Sequence, residues 1–381
     1  MARSERMTSV VPSRLKYARE YYGLSIEETA KRASVKPDAL AAFETGNEFP
    51  TYPMLERLLE LYNRPLLFFF FCSEPPKDQL LVEFRSSETQ NGRPLEMQVR
   101  MMMEKADWYR LQLKMLHADS DVVRFFALLQ QEQIKNEQHL IQWLRKQLDL
   151  SLKKQKSQFR KPNELLEYLR DKLYQIGIYV FKDSFKADDV SGLCLWDEEY
   201  PVILLNNKMS FTRQIFTVFH EIYHLFAKET DVYYTKYEEE KACDQFASEF
   251  LVPEVDFEKR IANIAEFENL ELIGVLADEY TVSWATIAYR LMKLGKISKT
   301  FYAKIHMDGV RKANAASAAG NYYYTRISYL GAPYLKSVFS EYYTGKIGIS
   351  DVGRYTRLKV SHISRMLSSN MLGVSSREIC F

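Results

Sequence analysis

Short amphipathic stretches alternate with turn residues in the first part of the chain. Apolar residues recur at helical spacing from Leu15 to Tyr22, and Gly23 follows as a helix terminator. Ser25 begins the next stretch with Glu28 three residues later, which is the pattern of a capping box. Two further helices are predicted over KPDALAAFE and TYPMLERLLELY. Four or five short helices within about 60 residues predict a small helical domain that contains a helix-turn-helix.

The pattern changes along the rest of the chain. Residues 94–150 are polar with helical periodicity, which predicts two long connecting helices, and KKQKSQFRKPN then reads as a basic linker. Before them, LLVEFRSS predicts either a short strand or an extended linker. From Glu164 onwards, IYVFKD predicts a strand and VSGLCLWDEEYPVILLN a strand hairpin. Two helices follow, SFTRQIFTVFHEIYHLFAKE and YEEEKACDQFASEFLV, and a small helical unit ends the chain.

Composition narrows the class of protein. The 381 residues are 46% hydrophobic and 27% charged, which is typical of a soluble chain of two or three domains. The net charge of +2 gives no overall basic field, so nucleic-acid binding would need a local patch. Four widely spaced cysteines without a CxxC pair argue against a disulfide framework. The N-terminus lacks a signal-peptide core and RPLLFFFFC is too short to span a bilayer, so we expect a cytoplasmic protein without membrane contact.

The segment HEIYH carries the strongest chemical signal in the sequence. His220 and His224 are four residues apart on one predicted helix, so their rings lie one turn apart and can face the same ion. Glu221 can activate a water on that ion, because zinc lowers the pKa of bound water to about 7. Polar side chains are costly among the apolar neighbours unless they are paired. The spacing therefore predicts a metal site; the alternative is two satisfied core histidines beside a salt-bridged glutamate.

The next predicted helix offers a third protein ligand. Glu240 and Asp244 are four residues apart beside the apolar stripe, so both can project towards the histidines. We expect Glu240 to bind the ion, Zn2+ first, with Mn2+ or another divalent ion as alternatives. Asp244 is expected to accept a hydrogen bond from a ligand histidine. Glu238 and Glu239 are expected on the solvated helix face, and Cys243 as a small buried residue and not a ligand.

A peptidase also needs a group that stabilises the developing oxyanion. Tyrosines close to the metal motif in the sequence are the candidates, namely Tyr223, Tyr233, Tyr234 and Tyr237. A residue of the C-terminal part is a further option, and the sequence does not choose among them.

These residues resemble the ImmA/IrrE family of metallo-endopeptidases. The resemblance covers about residues 160–295 and rests on YPVILLN, RQIFTVFHEIYHLF and EKACDQFASEFLVP. It implies a gluzincin-like zincin in which Glu221 is the general base and the metal ligands are His220, His224 and Glu240. Cys243 stands where the family usually has alanine. The N-terminal part resembles an XRE-type helix-turn-helix domain, as in longer family members that are similar to phage and mobile-element regulators.

The helix that would read DNA carries few of the side chains that contact bases. It begins KPDALAAFE, so alanines and Asp38 stand where Arg, Lys, Gln or Asn normally reach base edges. Candidate contacts to DNA or to a partner protein are Lys31, Arg32 and Lys36. Other nearby basic residues that could contact phosphates are Arg14, Lys16 and Arg19. A helix-turn-helix retained for protein contacts and a sequence-specific DNA binder both remain open.

The overall expectation is an α+β, mostly helical protein in four parts. An XRE-like helix-turn-helix domain spans residues 1–75 and a helical connector residues 76–160. A zincin-like metallopeptidase domain with a small sheet spans residues 161–298. A helical C-terminal unit, a candidate partner-binding module, spans residues 299–381.

The resemblance implies a zinc-dependent endopeptidase that cleaves a regulatory protein and so controls transcription. The implied substrate is a cognate repressor, antitoxin or toxin encoded nearby, in a mobile-element, stress or toxin–antitoxin setting. The alternative is a non-catalytic regulator or antitoxin-like partner whose peptidase fold binds metal and a partner protein. The oligomeric state is left open, with a dimer as one option.

Overall fold

The structure of the chain, a computed structural model, describes residues 5–72, 97–118, 122–159, 161–185, 190–229, 236–313 and 322–363. The chain divides into two compact units, Met1–Glu104 and Lys105–Phe381, and the division falls within the helix Met97–Leu116. Among the described residues, no helix has the length and apolar character needed to cross a membrane.

The first unit is a small helical domain, as the sequence predicts. Its helices are α1 (Pro12–Tyr21), α2 (Ile26–Ala33), α3 (Pro37–Thr45) and α4 (Tyr52–Tyr62), then a 3-10 helix (Leu66–Phe70) and the first turns of α5 (Met97–Leu116). The Ser25 hydroxyl accepts a hydrogen bond from the Glu28 amide at 3.1 Å, which confirms the predicted start of α2. Ser34 has a left-handed backbone conformation, with φ 53°, and this turn leads from α2 into α3.

Two arginines of α1 are structural. The Arg19 guanidinium donates to both carboxylate oxygens of Glu44, at 2.7 and 2.9 Å, and thereby ties α1 to α3. Arg14 is only 3% exposed, and its Nε donates to the carbonyl oxygen of Phe71 at 3.2 Å. Both side chains are therefore engaged within the domain, and the prediction that they could contact DNA phosphates is wrong.

The second unit combines helices with one small sheet. Its helices after α5 are α6 (Phe125–Gln131), α7 (Glu137–Gln147), α8 (Leu152–Ser157), α9 (Pro162–Gln175), α10 (Phe211–Glu229), α11 (Lys236–Leu251), α12 (Glu254–Ile261), α13 (Leu270–Tyr280), α14 (Trp284–Lys293), α15 (Lys299–Ala313), α16 (Tyr322–Leu330), α17 (Ala332–Tyr343) and α18 (Ile349–Thr356). Strands β1 (Tyr179–Asp183), β2 (Gly192–Leu195) and β3 (Val202–Asn206) lie between α9 and α10 in the sequence. The described part of the chain is α+β and mostly helical, as predicted.

The three strands form a mixed sheet in the order β1–β3–β2. Strand β3 is parallel to β1 and antiparallel to β2, so the predicted strand hairpin is confirmed as β2–β3. Every residue of β3 is buried, as expected for a central strand. Gly192 lets β2 approach α10 closely, because a Cβ there would lie 2.7 Å from Thr217 Cγ2 and 3.0 Å from the Leu204 carbonyl oxygen.

The segment between α5 and the sheet differs from the sequence prediction. Instead of two long helices, α5 is followed by the shorter helices α6 and α7. KKQKSQFRKPN is not a linker, because α8 occupies part of it and Gln155 is fully buried. The Gln155 side-chain amide donates to the carbonyl oxygens of Leu251 and Tyr280 at 2.9 and 2.8 Å, which joins the ends of α11 and α13. The segment LLVEFRSS lies outside the described residues.

The C-terminal helices belong to the second unit and do not form a separate module. The Arg170 guanidinium of α9 is 2% exposed and donates to the carbonyl oxygens of Ser328 at 2.7 Å and Tyr329 at 3.0 Å. Tyr334 of α17 packs edge-on against Phe181 of β1, with ring centroids 5.2 Å apart. These buried contacts join α16 to α9 and α17 to the sheet, so the boundary predicted at residue 298 does not separate two compact units.

The same arginine and Lys182 are two buried cations that share one partly exposed carboxylate. Lys182 Nζ lies 2.7 Å from Glu167 Oε1, and Arg170 Nη1 lies 2.8 Å from Glu167 Oε2. Burial and the neighbouring Arg170 charge lower the pKa of Lys182 to about 8. One carboxylate thus balances two buried cations, and its removal would leave both without a counter-charge.

Candidate metal and catalytic site

Helix α10 carries the HEIYH segment and is fixed by its first turn and by its apolar face. The Ser210 hydroxyl accepts a hydrogen bond from the Arg213 amide at 3.3 Å, which caps the helix. Residues at helical spacing on one face are buried, namely Ile215, Val218, Phe219, Ile222, Leu225 and Phe226. This apolar face anchors the helix in the core and leaves His220 and His224 half-buried at its edge.

Helix α11 lies beside α10 and brings acidic side chains to the two histidines. Phe219 stacks on Phe250 with ring centroids 3.8 Å apart, and Tyr223 packs against Phe246 at 5.0 Å. The apolar side of α11 is thereby buried against α10, and its acidic positions lie next to the imidazole rings.

The two histidines present one nitrogen each to a shared point. The Nε2 atoms of His220 and His224 are 3.2 Å apart. The Glu240 carboxylate lies 3.3 Å from His220 Nε2 and 3.7 Å from His224 Nε2. At the opposite ring atoms, His220 Nδ1 is 2.9 Å from Asp244 Oδ1, and His224 Nδ1 is 2.8 Å from Glu239 Oε1. Each imidazole therefore holds a carboxylate with Nδ1 and directs Nε2 at the shared point.

The surrounding carboxylates favour positive charge on both rings. Burial opposes protonation of His220, but its hydrogen bonds to Asp244 and Glu240 outweigh burial and raise its pKa to about 10. Burial likewise opposes protonation of His224, and the hydrogen bond to Glu239 and the charge of Glu221 raise its pKa above the usual value. An environment that favours a proton also favours a metal cation, so the two compete for the same nitrogens.

Glu221 is a buried carboxylate next to the shared point. Glu221 is 7% exposed, and its negative charge raises the pKa of both histidines. Cys194 of β2 is a neighbour of Glu221. Burial, and then the charge of Glu221 and a hydrogen bond with it, hold the pKa of this thiol well above its usual range. A carboxylate in this position can exchange a proton with a water molecule between the histidines.

The donor set fits a divalent transition-metal ion. Two imidazole nitrogens and one carboxylate oxygen are a common set of protein ligands in catalytic zinc sites, where a fourth position is left for water. Nitrogen ligands of one tetrahedral zinc ion lie about 3.3 Å apart, and the two Nε2 atoms are 3.2 Å apart. The structure thus brings together the four residues that the sequence groups, His220, His224, Glu240 and Asp244. Their roles towards a metal stay predictions.

Two side chains of α11 add to the sequence-based picture. The prediction that Glu239 lies on the solvated face is wrong, because its carboxylate is bound to His224 Nδ1. It lies five residues before Asp244, a spacing that does not by itself place both carboxylates on one helix face. Cys243 is fully buried, as expected, and its Sγ forms a group with ring nitrogens of His220 and His224 in which all atoms lie within 4.8 Å of one another.

Of the tyrosines predicted to stabilise the oxyanion, the structure describes the side chain of Tyr223 alone. The prediction for Tyr223 is wrong, because the residue is 2% exposed and its hydroxyl donates to Glu137 Oε1 at 2.6 Å. Tyr233 and Tyr234 lie outside the described residues, as does the side chain of Tyr237.

Two tyrosines from later helices lie within electrostatic reach of Asp244. Tyr289 of α14 and Tyr302 of α15 have ring centroids 6.2 Å apart. Burial and then the charge of Asp244 raise the pKa of each, so both hydroxyls keep their protons at neutral pH and both lie within electrostatic reach of the site. Sequence reasoning missed them because no local spacing connects α14 and α15 with HEIYH.

The helix-turn-helix surface carries the predicted basic residues. Lys31 and Lys36 are exposed, and Arg32 forms an ion pair with Glu28 at 3.2 Å, one helical turn away. On α3, Asp38 is exposed next to half-buried alanines. The face of α3 that would enter a major groove therefore lacks the long donors that read bases.

Two family models match the chain, in the order that the sequence predicts. Residues 174–292 match the IrrE N-terminal-like domain of the peptidase M78 family, and this range contains the whole of HEIYH and of α11. Residues 13–66 match a helix-turn-helix domain. No curated protein and no solved structure reaches a significant match to the chain. Within one chain, a match to a helix-turn-helix domain thus precedes a match to the IrrE N-terminal-like domain of the peptidase M78 family.

Proposed function

We propose that the chain is a metal-dependent endopeptidase, with zinc as its metal, that cleaves a regulatory protein. The observation that carries this proposal is the convergence of His220 Nε2, His224 Nε2 and the Glu240 carboxylate beside the buried Glu221. The match of the surrounding segment to a peptidase family supports the same chemistry.

Each side chain has its own role in peptide hydrolysis. When bound, a divalent ion supplies Lewis-acid activation of a water molecule and of the scissile carbonyl. Glu221 takes the proton from the attacking water and delivers it to the leaving amine. Asp244 and Glu239 hold the imidazole rings so that each Nε2 faces inward. The side chains of Glu240 and Asp244 are about half exposed, so the site is open to solvent on this side.

The attached helix-turn-helix domain supports a role in gene regulation. Its α3 presents Asp38 and alanines, which favours contacts with a protein over the reading of bases. The substrate that suits this combination is a repressor or an antitoxin-like regulator in the cytoplasm, encoded beside the enzyme. Cleavage of such a protein would change transcription.

Co-expression with the product of the adjacent gene tests the proposal. We expect the wild type to release fragments of that protein, identified by mass spectrometry. Glu221→Gln should release none but keep its metal, because glutamine cannot accept the proton. His220→Ala should lose the metal. Glu198→Gln, a matched change of an exposed carboxylate on the loop between β2 and β3, should cleave like the wild type.

Two results would contradict the proposal. One is cleavage by the Glu221→Gln variant, and the other is an equal metal content in the wild type and the His220→Ala variant. A stable complex with no cleavage by the wild type, and growth rescue that survives Glu221→Gln, would favour a non-catalytic regulator or an antitoxin-like partner.

A further inference from the structure

A thiol approaches the two histidines from the interior of the protein. Cys243 lies on α11 three residues after Glu240, so the two side chains share one side of the helix. Their environments differ, because Cys243 is fully buried whereas the Glu240 side chain is 51% exposed. The imidazole pair is thus approached by a carboxylate from the solvent side and by a thiol from the core.

The distances suit a shared ion. The Cys243 Sγ and the ring nitrogens of His220 and His224 all lie within 4.8 Å of one another. In a tetrahedral zinc site with Zn–S near 2.3 Å and Zn–N near 2.0 Å, sulfur and nitrogen ligands are about 3.5 Å apart. The side chains therefore need to approach each other by little more than about 1 Å, which small changes of side-chain torsion supply.

We propose that Cys243 is a protein ligand of the metal, together with His220, His224 and Glu240. The inference rests on the proposed function only in taking this site as a metal site. The thiol proton passes to solvent when the sulfur binds the ion, and the metal is neither oxidised nor reduced. A thiolate ligand makes the site prefer thiophilic ions such as zinc, cadmium and cobalt over manganese and magnesium.

The number of donors has a consequence for access to the ion. Four protein ligands complete the coordination of a tetrahedral ion, as in structural zinc sites. Water enters only when a ligand withdraws or when the coordination number rises to five. Glu240 is the donor that can withdraw, because its side chain is half exposed whereas Cys243 is enclosed.

Cobalt substitution in the full chain tests the proposal. Cobalt-loaded wild type should show a thiolate-to-cobalt charge-transfer band in the near ultraviolet. Cys243→Ala should lose the band and still bind cobalt through the remaining donors. Cys194→Ala, which removes the neighbouring thiol, should keep the band. Affinity for cadmium should fall at least about tenfold in Cys243→Ala, and affinity for manganese should change by less than about threefold.

The outcomes separate this proposal from the proposed function. Cobalt binding by the wild type without the band, or a band that survives in Cys243→Ala, overturns the role of Cys243 and leaves the metal site standing. A wild type that binds no cobalt, cadmium or zinc overturns both. Cys243→Ser is the second variant, because its hydroxyl keeps the size of the side chain, and thermal unfolding of the metal-free variants shows that each is folded.

Discussion

Removal of the carboxylate that holds His220 should weaken metal binding without unfolding the protein. In Asp244→Ala the ring loses the acceptor that lies 2.9 Å from its Nδ1, so neither its orientation nor its tautomer is held. Asp244→Asn keeps an oxygen of similar shape, which still accepts the hydrogen bond, but removes the charge. The two variants therefore separate orientation from charge.

The size of the effect follows from the geometry. Loss of such a partner lowers metal affinity by about 10- to 100-fold, or about 1.4 to 2.8 kcal/mol. The Asp244 side chain is 50% exposed, so water screens its charge and the orientation of the ring accounts for most of the loss. We therefore expect a loss of about 100-fold in Asp244→Ala and of no more than about tenfold in Asp244→Asn. Glu239→Ala, which frees the other ring, should behave like Asp244→Ala.

Competition with a chromophoric zinc chelator, at fixed pH and ionic strength, measures these affinities. The metal-free variants should remain folded, with a moderately lower unfolding temperature, because the same carboxylates also pair with the metal-free imidazole rings. In the double variant the two losses should not simply multiply, because the two rings are 3.2 Å apart and face the same ion. The reasoning is refuted if Asp244→Ala binds zinc within about twofold of the wild type, or if asparagine costs as much as alanine.

Three further predictions concern the stability of the second unit. Glu167→Gln leaves Lys182 and Arg170 without their carboxylate. Because the Glu167 side chain is 43% exposed and water screens its charge, the free energy of unfolding in urea should fall by about 1 to 2 kcal/mol. The exposed control Glu198→Gln should change it by less than about 0.5 kcal/mol, and a similar loss in both variants would contradict this role of Glu167. Lys182 has a pKa of about 8 in the folded protein and about 10.4 when unfolded. As the pH rises, the folded state therefore releases this proton before the unfolded state does, and the free energy of unfolding should rise between about pH 8 and 10.4. The rise should be absent in Lys182→Met, and an unchanged pH profile would count against the shift. Phe219→Ala opens a cavity where Phe219 stacks on Phe250 between α10 and α11, so the free energy of unfolding in urea should fall by about 4 kcal/mol. A fall of less than about 1 kcal/mol would show that this ring contact contributes little to stability.

The part of the site that lies within single helices could be predicted from the sequence. Helix geometry converts the spacing of His220 and His224 into neighbouring rings, and it does the same for Glu240 and Asp244. The apolar positions around them also indicated which sides of α10 and α11 are buried. For the same reason the helices of the first unit and the strand hairpin agree with their patterns.

Contacts between distant segments could not be predicted in this way. The bond between Glu239 and His224 depends on how α11 crosses α10, and local periodicity carries no information about that angle. The hydroxyl of Tyr223 is taken by Glu137 on a helix that precedes the sheet, so its place beside the motif in the sequence was misleading. Gln155 lies in a stretch rich in lysine, and its burial follows only from the two carbonyl groups it joins.

The contact of Arg170 with the Ser328 carbonyl spans 158 positions and passes well beyond residue 292, where the peptidase match ends. A fragment trimmed to the matched residues would omit residues 162–173 of α9, Arg170 among them. It would also omit Tyr334 and so expose the Phe181 ring that packs on it. The range that matches the family model is therefore shorter than the range whose side chains pack together. Preparations of the second unit alone should begin before α5 and extend through α18, and we expect shorter fragments to be insoluble when they are expressed.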